Sequence, residues 1–391
     1  MSLAALFLRF LKFGMLAFGG PVAQIALLRR ELVEEERWIS SARFNRLLAV
    51  MQILPGPEAH ELCVHLGMRA RGRLGGLLAG LGFMLPGFVL MLALSWLYFQ
   101  LDFDRSWLGA ALLGVQAGVA ALIVRAVHRI GEHVLVDGWL WAIAAGSAGA
   151  ALAGISFWLA LSVGGAVYAL KRSGRRAIAV CLALAGATLG AGLALTMEPG
   201  APSAFVEGAG KQPGDVAAWI LFLAGFKTGL LTFGGAYTAI PFLRADSMRQ
   251  GWMGDAQFLD GLALSGVLPA PLIIFSTFVG YVAGGPWGAV AITAGIFLPA
   301  FAFSLIFYDR LEAVLENVRL HALLEGVAAA VVGLIAVTAA QLAWGLLSDA
   351  DQRLAVAAIL LAALGAVYLW KSKLASPLIL LAAGVAGVLA F

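Results

Sequence analysis

The chain has 391 residues, of which 62% are hydrophobic and only 12% charged, with a formal net charge of +4 and a mean hydropathy of +0.93. A soluble domain carries about 25% charged residues, so this composition excludes one, and the surplus Lys and Arg belong to cytoplasmic loops of a membrane protein rather than to a nucleic-acid surface. Two cysteines, Cys63 and Cys181, lie far apart without C-x-x-C spacing, which excludes a disulfide framework.

In chain order, residues 3–17 read as an apolar helix interrupted by Arg9 and Lys12, with no small-x-small site after it, and so not as a cleaved leader. It stops at Phe18-Gly19-Gly20-Pro21, where proline suits the first turn of a new helix. That second helix becomes charged over residues 29–37 and ends at Trp38. Residues 42–54 form another half-length helix, which breaks at Pro55-Gly56-Pro57. Another helix runs from 57 to about 68.

Regular spans follow at 74–97, 107–124, 138–154, 156–170 and 177–196. A Gly/Pro-containing linker, 197–215, leads to two more broken segments at 216–242 and 257–281, then to spans at 288–307, 322–343, 354–370 and 375–391. Trp96, Trp139, Trp158, Trp287, Trp344 and Trp370 sit at span ends, as an interfacial belt requires. The expectation is an all-α polytopic membrane protein with roughly 13 passes.

The second half repeats the first. Phe233-Gly234-Gly235-Ala236 lies 215 residues after Phe18-Gly19-Gly20-Pro21, and Pro269-Ala270-Pro271 lies 214 after Pro55-Gly56-Pro57. Lys12 keeps step with Lys227, Arg29 with Arg244, Trp38 with Trp252, Phe44 with Phe258 and Pro86 with Pro299. This is an internal duplication whose fixed points are helix breakers. It divides the chain into repeats at 1–196 and 216–391 with the linker 197–215 between them.

Charge orients the loops. Arg69/Arg71/Arg73, Arg125/Arg129, Lys171/Arg172/Arg175/Arg176 and Lys371/Lys373 read as four cytoplasmic loops. The match to the first of these, Val282-Ala283-Gly284-Gly285-Pro286, carries no charge. A loop that is basic in one half and bare in the other points to halves inserted in opposite directions, an inverted repeat.

Broken helices at membrane depth must line protein or a water-filled cavity, because their unpaired backbone groups cannot face lipid. Inverted-repeat transporters aim such half-helix N-termini at anionic groups near the midplane, where free N–H donors and about half a positive charge await them. The expected substrate-binding residues are Lys12, Phe18, Gly19, Gly20, Pro21, Gln52, Pro55, Gly56 and Pro57 in the first half. In the second they are Lys227, Phe233, Gly234, Gly235, Ala236, Tyr237, Pro269, Ala270 and Pro271. The two lysines stand six residues before their FGG, about 9 Å along a helix, and an intramembrane lysine is a functional hypothesis by default. Against it stands snorkelling to the interface.

Glu58, beside the first PxP, would repel an anion unless protonated, which makes it the proton-coupling residue expected here. A helix N-terminal carboxylate is the competing reading. Thr238, Ser276 and Thr277 are further hydrogen-bond donors near the second set of breaks. His60-Glu61-Leu62-Cys63-Val64-His65 resembles a zinc-protease motif but is one residue too long, so its histidines lie roughly 140° apart on a helix. No metal and no cofactor are expected.

These residues resemble the chromate transporter (chromate ion transporter) family in its long two-domain form. The carriers are Phe18 to Pro21, the Gln-Ile-Leu-Pro-Gly-Pro-Glu-Ala run at 52–59, Phe233 to Tyr237, the Gln-Phe-Leu-Asp-Gly-Leu-Ala run at 257–263, and Pro269 to Tyr281. They cover roughly 5–130 and 218–345. The chain departs from the family pattern in Ala270, where glycine is common, and in Gly266, where a glutamate often stands.

The resemblance implies a bacterial or archaeal inner-membrane carrier that expels chromate, with sulfate as its structural analogue. A sulfate or other anion uptake carrier and an anion channel are the alternatives. No nucleophile–His–Asp set, metal cluster or nucleotide loop argues for an enzyme. The expected partners are a small inorganic oxyanion and the lipid bilayer, with no nucleic acid and with a homodimer left open.

Overall fold

A computed structural model describes residues 1–51, 54–101, 107–196, 214–233, 235–306, 318–348, 352–370, 372 and 374–391. Within them the chain is helical and contains no strand. The first half contributes α1 (Leu3–Met15), α2 (Gly20–Arg29), α3 (Ser41–Met51), α4 (Glu58–Gln100), α5 (Trp107–Val134), α6 (Gly138–Leu152), α7 (Phe157–Arg172) and α8 (Arg176–Thr196). The second contributes α9 (Ala218–Leu231), α10 (Ile240–Arg249), α11 (Asp255–Val267), α12 (Phe275–Ile306), α13 (Val318–Leu346), α14 (Arg353–Leu369) and α15 (Ala375–Ala390).

Among the described residues, four stretches are long and apolar enough to cross a membrane: 58–100, 107–134, 272–306 and 320–346. Two of these are hairpins. In α4 the backbone leaves helical geometry at Arg71 (φ −148°, ψ 32°) and Gly72 (φ 62°, ψ −160°). In α12 it does so at Gly284 (φ −151°, ψ 27°) and Gly285 (φ 62°, ψ −158°). That second pair of angles is open to glycine almost alone, so each turn needs its glycine.

The arms fold back antiparallel. A Cβ on Gly67 would meet the Gly75 carbonyl oxygen at 2.5 Å, and one on Gly280 would meet that of Gly288 at 2.4 Å. The breaks expected near 69–73 and 282–286 are therefore one turn made twice.

The duplication holds in packing as well. α1 lies on the second arm of α4, where a Cβ on Gly14 would meet Pro86 Cγ at 3.0 Å. α9 lies on the second arm of α12, where a Cβ on Gly229 would meet Pro299 Cγ at 3.1 Å. Lipid tails are as apolar as a core, so close backbone approach and van der Waals packing, rather than water exclusion, hold these helices together.

Small length differences between the halves are absorbed by helix pitch. Trp38 is the ninth residue after Arg29, whereas Trp252 is the eighth after Arg244, and the first half takes up the extra residue in a π turn at Arg30–Glu35. Gly67 is the tenth residue after Pro57, whereas Gly280 is the ninth after Pro271. There the second half opens with a 3₁₀ turn, Leu272–Ile274. Three 3₁₀ residues rise about 6 Å, as four α residues do.

One expectation needs correcting. Arg125 and Arg129 do not form a loop: α5 runs on through both of them to Val134. Arg is a good helix former, so a charge at the end of an apolar run need not end the helix. The Lys371/Lys373 loop and the linker up to residue 213 lie outside the described residues.

The chain forms two compact units. Unit one comprises Met1–Arg125, Glu207–Tyr308 and Leu342–Phe391; unit two comprises Ala126–Val206 and Asp309–Gln341. Each draws on both sequence halves. A core of unit one gathers Leu6, Phe10, Phe13, Phe44, Leu62 and Phe83, and the first three lie on one face of α1 at helical spacing. A core of unit two gathers Leu140, Ala144, Tyr168, Ala322, Ala329 and Val332.

In unit two, Asp137 caps α6, accepting from the Trp139 and Leu140 N–H groups. It also accepts from Lys171 Nζ at 2.6 Å and from Tyr168 Oη at 3.0 Å. Desolvation pushes its carboxyl up, but Lys171 and the other donors outweigh it and hold the group at about 2.

Candidate functional site

All four helix breaks lie in unit one. The first FGG break follows α1: the chain turns left-handed at Gly19 and Gly20 (φ 86° and 76°) and α2 starts with Pro21 in its first turn. The buried Gln24 donates its amide to the Ala17 carbonyl at 3.0 Å, which fixes the approach to the turn. At the first PxP, Pro57 caps α4, and its carbonyl accepts from the His60 and Glu61 N–H groups at 2.9 and 3.0 Å.

The second FGG break passes from α9 through a 3₁₀ turn, Ala236–Ala239, into α10. Thr238 Oγ1 donates to the Gly235 carbonyl at 2.7 Å, so this hydroxyl holds the break rather than facing a ligand. The second PxP passes from α11 through Leu268 to Pro271 into the 3₁₀ turn that opens α12.

These breaks meet. Pro55 stands opposite Phe233 in an isolated antiparallel bridge, and Gly56 donates its N–H to the Thr232 carbonyl at 2.7 Å. A Cβ on Gly235 would lie 3.9 Å from both Glu58 Oε1 and Pro21 Cγ, and one on Gly20 would lie 3.9 Å from Tyr237 Oη. A recess of about 30 Å³ is lined by Gly19, Gly20, Tyr237, Ser265, Gly266, Leu268, Ala270 and Leu272, with Val119, Leu122 and Ser376 at its side. That volume holds a water or two. The first FGG and second PxP thus share a recess, while the first PxP is strapped to the second FGG. Helix N-termini, the Tyr237 hydroxyl and approachable glycine backbone border one small volume, which suits an anion; Ser265 also lines it, but its hydroxyl donates to the Leu262 carbonyl at 2.9 Å.

Most expected site residues come together here. Pro55, Gly56, Pro57, Gly235, Ala236, Ala270 and Pro271 are buried at the junction, and Phe18, Pro21, Phe233, Tyr237 and Pro269 are half-buried beside it. Gln52 and Gly234 lie outside the described residues. The two lysines differ. Lys12 is exposed on α1, whereas Lys227 is ion-paired to both oxygens of the buried Asp246 on α10. The position matching Asp246 is Glu31, which pairs with Arg30 instead.

The matched arginines are also differently served. Arg244 holds Asp255 in a two-pronged pair at 2.7 and 3.0 Å, both side chains buried. Arg29 reaches Ser41 and Asn45 at 3.0 Å each, and Ser41 matches Asp255. Thr277 shares a hydrogen bond with Thr293 at 2.8 Å, and Ser276 is fully buried.

Sequence reasoning passed over two carboxylates. Asp260 on α11 is buried and accepts from Tyr98 Oη at 2.6 Å and from Gln116 Nε2. Its signal was a lone acid inside the apolar Gln-Phe-Leu-Asp-Gly-Leu-Ala run. Glu61 is fully buried behind the first PxP. The histidine beside it, His60, packs edge-on against Phe297 and Phe301 at 4.8 and 4.7 Å between ring centres. Among the described residues no group of three or more His, Cys, Asp or Glu side chains could hold a metal.

The family model described as "Chromate transporter" matches this chain twice, over residues 4–170 and 219–388. The chain is 64% identical to a chromate transport protein of Pseudomonas aeruginosa over all of its length and 93% of the relative's. It is 31% identical to a chromate transport protein of Cupriavidus metallidurans, covering 100% of this chain and 94% of that one. With a probable chromate transport protein of Synechococcus elongatus the identity is 30%, over 99% and 95%. No solved structure matches. Two family matches that begin 215 residues apart, the FGG spacing itself, and full-length relatives that share them establish that this multi-pass membrane chain belongs to the chromate transporter family.

Proposed function

We propose that the protein is a secondary carrier that exports chromate across a bacterial or archaeal inner membrane, with sulfate as a structural analogue. The observation that carries this reading is the meeting of four helix breaks in one unit, two from each sequence half. A tetrahedral oxyanion needs donors from several directions, and helix N-termini, glycine backbone and the Tyr237 hydroxyl supply them. Lys12 and Lys227 are the cations of the pathway in this reading, and Glu58, facing Gly235, is its proton-coupling acid.

The two halves act as an inverted repeat and alternate access around the shared breaks. The basic 69–73 turn against its uncharged counterpart at 282–286 supports the inversion, as does the crossing of the first PxP with the second FGG. Export is the electrically downhill direction. Moving a dianion outward across an inside-negative potential gains about 4.6 kcal/mol per 100 mV, at about 2.3 for each charge.

The test is flux of labelled chromate and sulfate in proteoliposomes with defined potential and pH gradients. Potential-driven, saturable flux with counterflow is expected, reduced in Lys12→Ala/Lys227→Ala. Absence of flux of either anion under every gradient overturns the substrate.

A further inference from the structure

Glu61 lies at the end of the first turn of α4 and is fully buried. Both its carboxyl oxygens lack a hydrogen-bond partner among the described residues. It points back at the break: a Cβ on Gly56 would stand 2.6 Å from its Oε1, and Gly56 itself holds φ 143°. An ionised carboxylate in this position would be desolvated without compensation, which costs far more than protonating it.

The groups around it do not supply that compensation. From α12 the neighbouring side chains are Ala300 beside Gly56 and Ser304, whose hydroxyl bonds the Glu61 backbone carbonyl and leaves the carboxyl alone. On its own helix stand Glu58 one turn earlier, His60 between Phe297 and Phe301, and His65 one turn later. Two acids three residues apart share one helix face, and Glu58, itself buried, is the one that reaches Gly235 of the other half. A dianion arriving at breaks flanked by two carboxylates would be repelled by both.

We propose that Glu61 is the proton-binding group of this site, and that an oxyanion seats at the meeting of the helix breaks when Glu61 holds its proton. This rests on the oxyanion reading above and moves the proton from Glu58, which faces Gly235, to Glu61, which faces Gly56. The ligand is a proton taken from water and returned to it, so oxyanion and proton occupy the protein in the same state. In that state the neutral carboxyl neither repels the anion nor carries an uncompensated charge. Deprotonation restores both penalties and favours release.

The experiment uses the purified full chain and has two readouts. The first is anion-free: infrared difference spectra across a pH titration, read at the carbonyl stretch of neutral carboxylic acids. A band present in the wild type, retained in Glu58→Gln and lost in Glu61→Gln is expected; its persistence in Glu61→Gln overturns the assignment. The second is sulfate affinity against pH, sulfate being used because it keeps both charges across the range.

In the wild type the Kd rises about tenfold per pH unit above the titration, as one proton bound per anion requires. In Glu61→Gln, which mimics the neutral acid, Kd becomes independent of pH and is tighter than wild type at high pH. An unchanged wild-type slope in Glu61→Gln overturns the proposal. Glu61→Asp provides the second variant, and it keeps the slope with a shifted midpoint. Should the infrared band behave as expected while no sulfate binds at any pH, the proton site stands and the oxyanion reading falls.

Discussion

The backbone N–H of Gly56 reaches the carbonyl of Thr232 at 2.7 Å, joining the PxP break of the first repeat to the FGG break of the second. With Pro55 opposite Phe233, this short two-strand contact ties the two halves together through main chain alone. Side chains of any kind could occupy such a contact, but the geometry at Gly56 restricts it to one residue.

Gly56 sits at φ 143°, and a Cβ there would stand 2.6 Å from Glu61 Oε1 and 3.0 Å from Ala300 Cβ. Gly56→Ala is expected to cost about 1–3 kcal/mol in backbone strain and to displace the strap. A lowered thermal unfolding midpoint in detergent together with lost anion flux is the expected result; a variant with wild-type stability and flux would show that the strap is dispensable.

Lys227 and Asp246 form a largely buried ion pair. Removing one partner leaves the other charge uncompensated, so Lys227→Ala alone should cost about 3–5 kcal/mol. Lys227→Ala/Asp246→Ala should recover most of that stability. Flux through the double variant then separates the roles: stability restored without transport places Lys227 in the anion pathway, and transport restored with stability makes the pair architectural.

Asp260 accepts from Tyr98 and Gln116. Tyr98→Phe removes one donor from a buried carboxylate while keeping the ring that packs on Phe278 at 5.1 Å. The loss expected for a hydrogen bond to a charged group is about 1.5–3 kcal/mol. A chemical-denaturation series on Tyr98→Phe, Asp260→Asn and the double variant measures it, with coupling between the two positions as the diagnostic.

Asp137 gives unit two a pH dependence whose sign follows from its surroundings. Its folded pKa of about 2 lies below the ordinary 3.8, so its stabilising effect is full above about pH 4. It is lost as pH falls from there through 2. Asparagine keeps the helix cap and loses the Lys171 pair. The gap in unfolding midpoint between wild type and Asp137→Asn should therefore narrow as pH falls from 4 to 2, and a gap constant over that interval would contradict this account.

The breaks could be read from sequence because Gly-Gly and Pro-x-Pro runs disfavour a continuous helix locally, and the turn at 69–73 because its arginines mark a loop, with 282–286 found as its match in the repeat. Four broken segments and a loop at 69–73 were legible in this way; that α4 and α12 turn back on themselves there is a finding of the structure. What joins Pro55 to Phe233 was not, since a main-chain bridge between distant residues leaves no mark on side-chain pattern. Lys227 read as an open cation because its partner, Asp246, lies 19 residues on, across a break whose fold-back only the structure shows. Arg125 and Arg129 misled in the opposite sense: they mark polarity, and polarity did not end the helix. Asp260 and Glu61 carried no periodic signal at all. Single acids in apolar runs declare themselves only when their neighbours are known.

The π turn at 30–35 and the 3₁₀ turn at 272–274 give the duplicated gene a record of its own drift. After the copies parted, a residue gained or lost in one of them was taken up by rewinding a single turn, leaving the fixed points downstream in register. In both places the difference in length is taken up by a looser or a tighter turn. A one-residue deletion within Arg30–Glu35 would reproduce the spacing the other copy already uses, whereas the same deletion between Lys12 and Phe18 would rotate everything beyond it by about 100°. Between these two copies, length differs where the screw can be re-threaded.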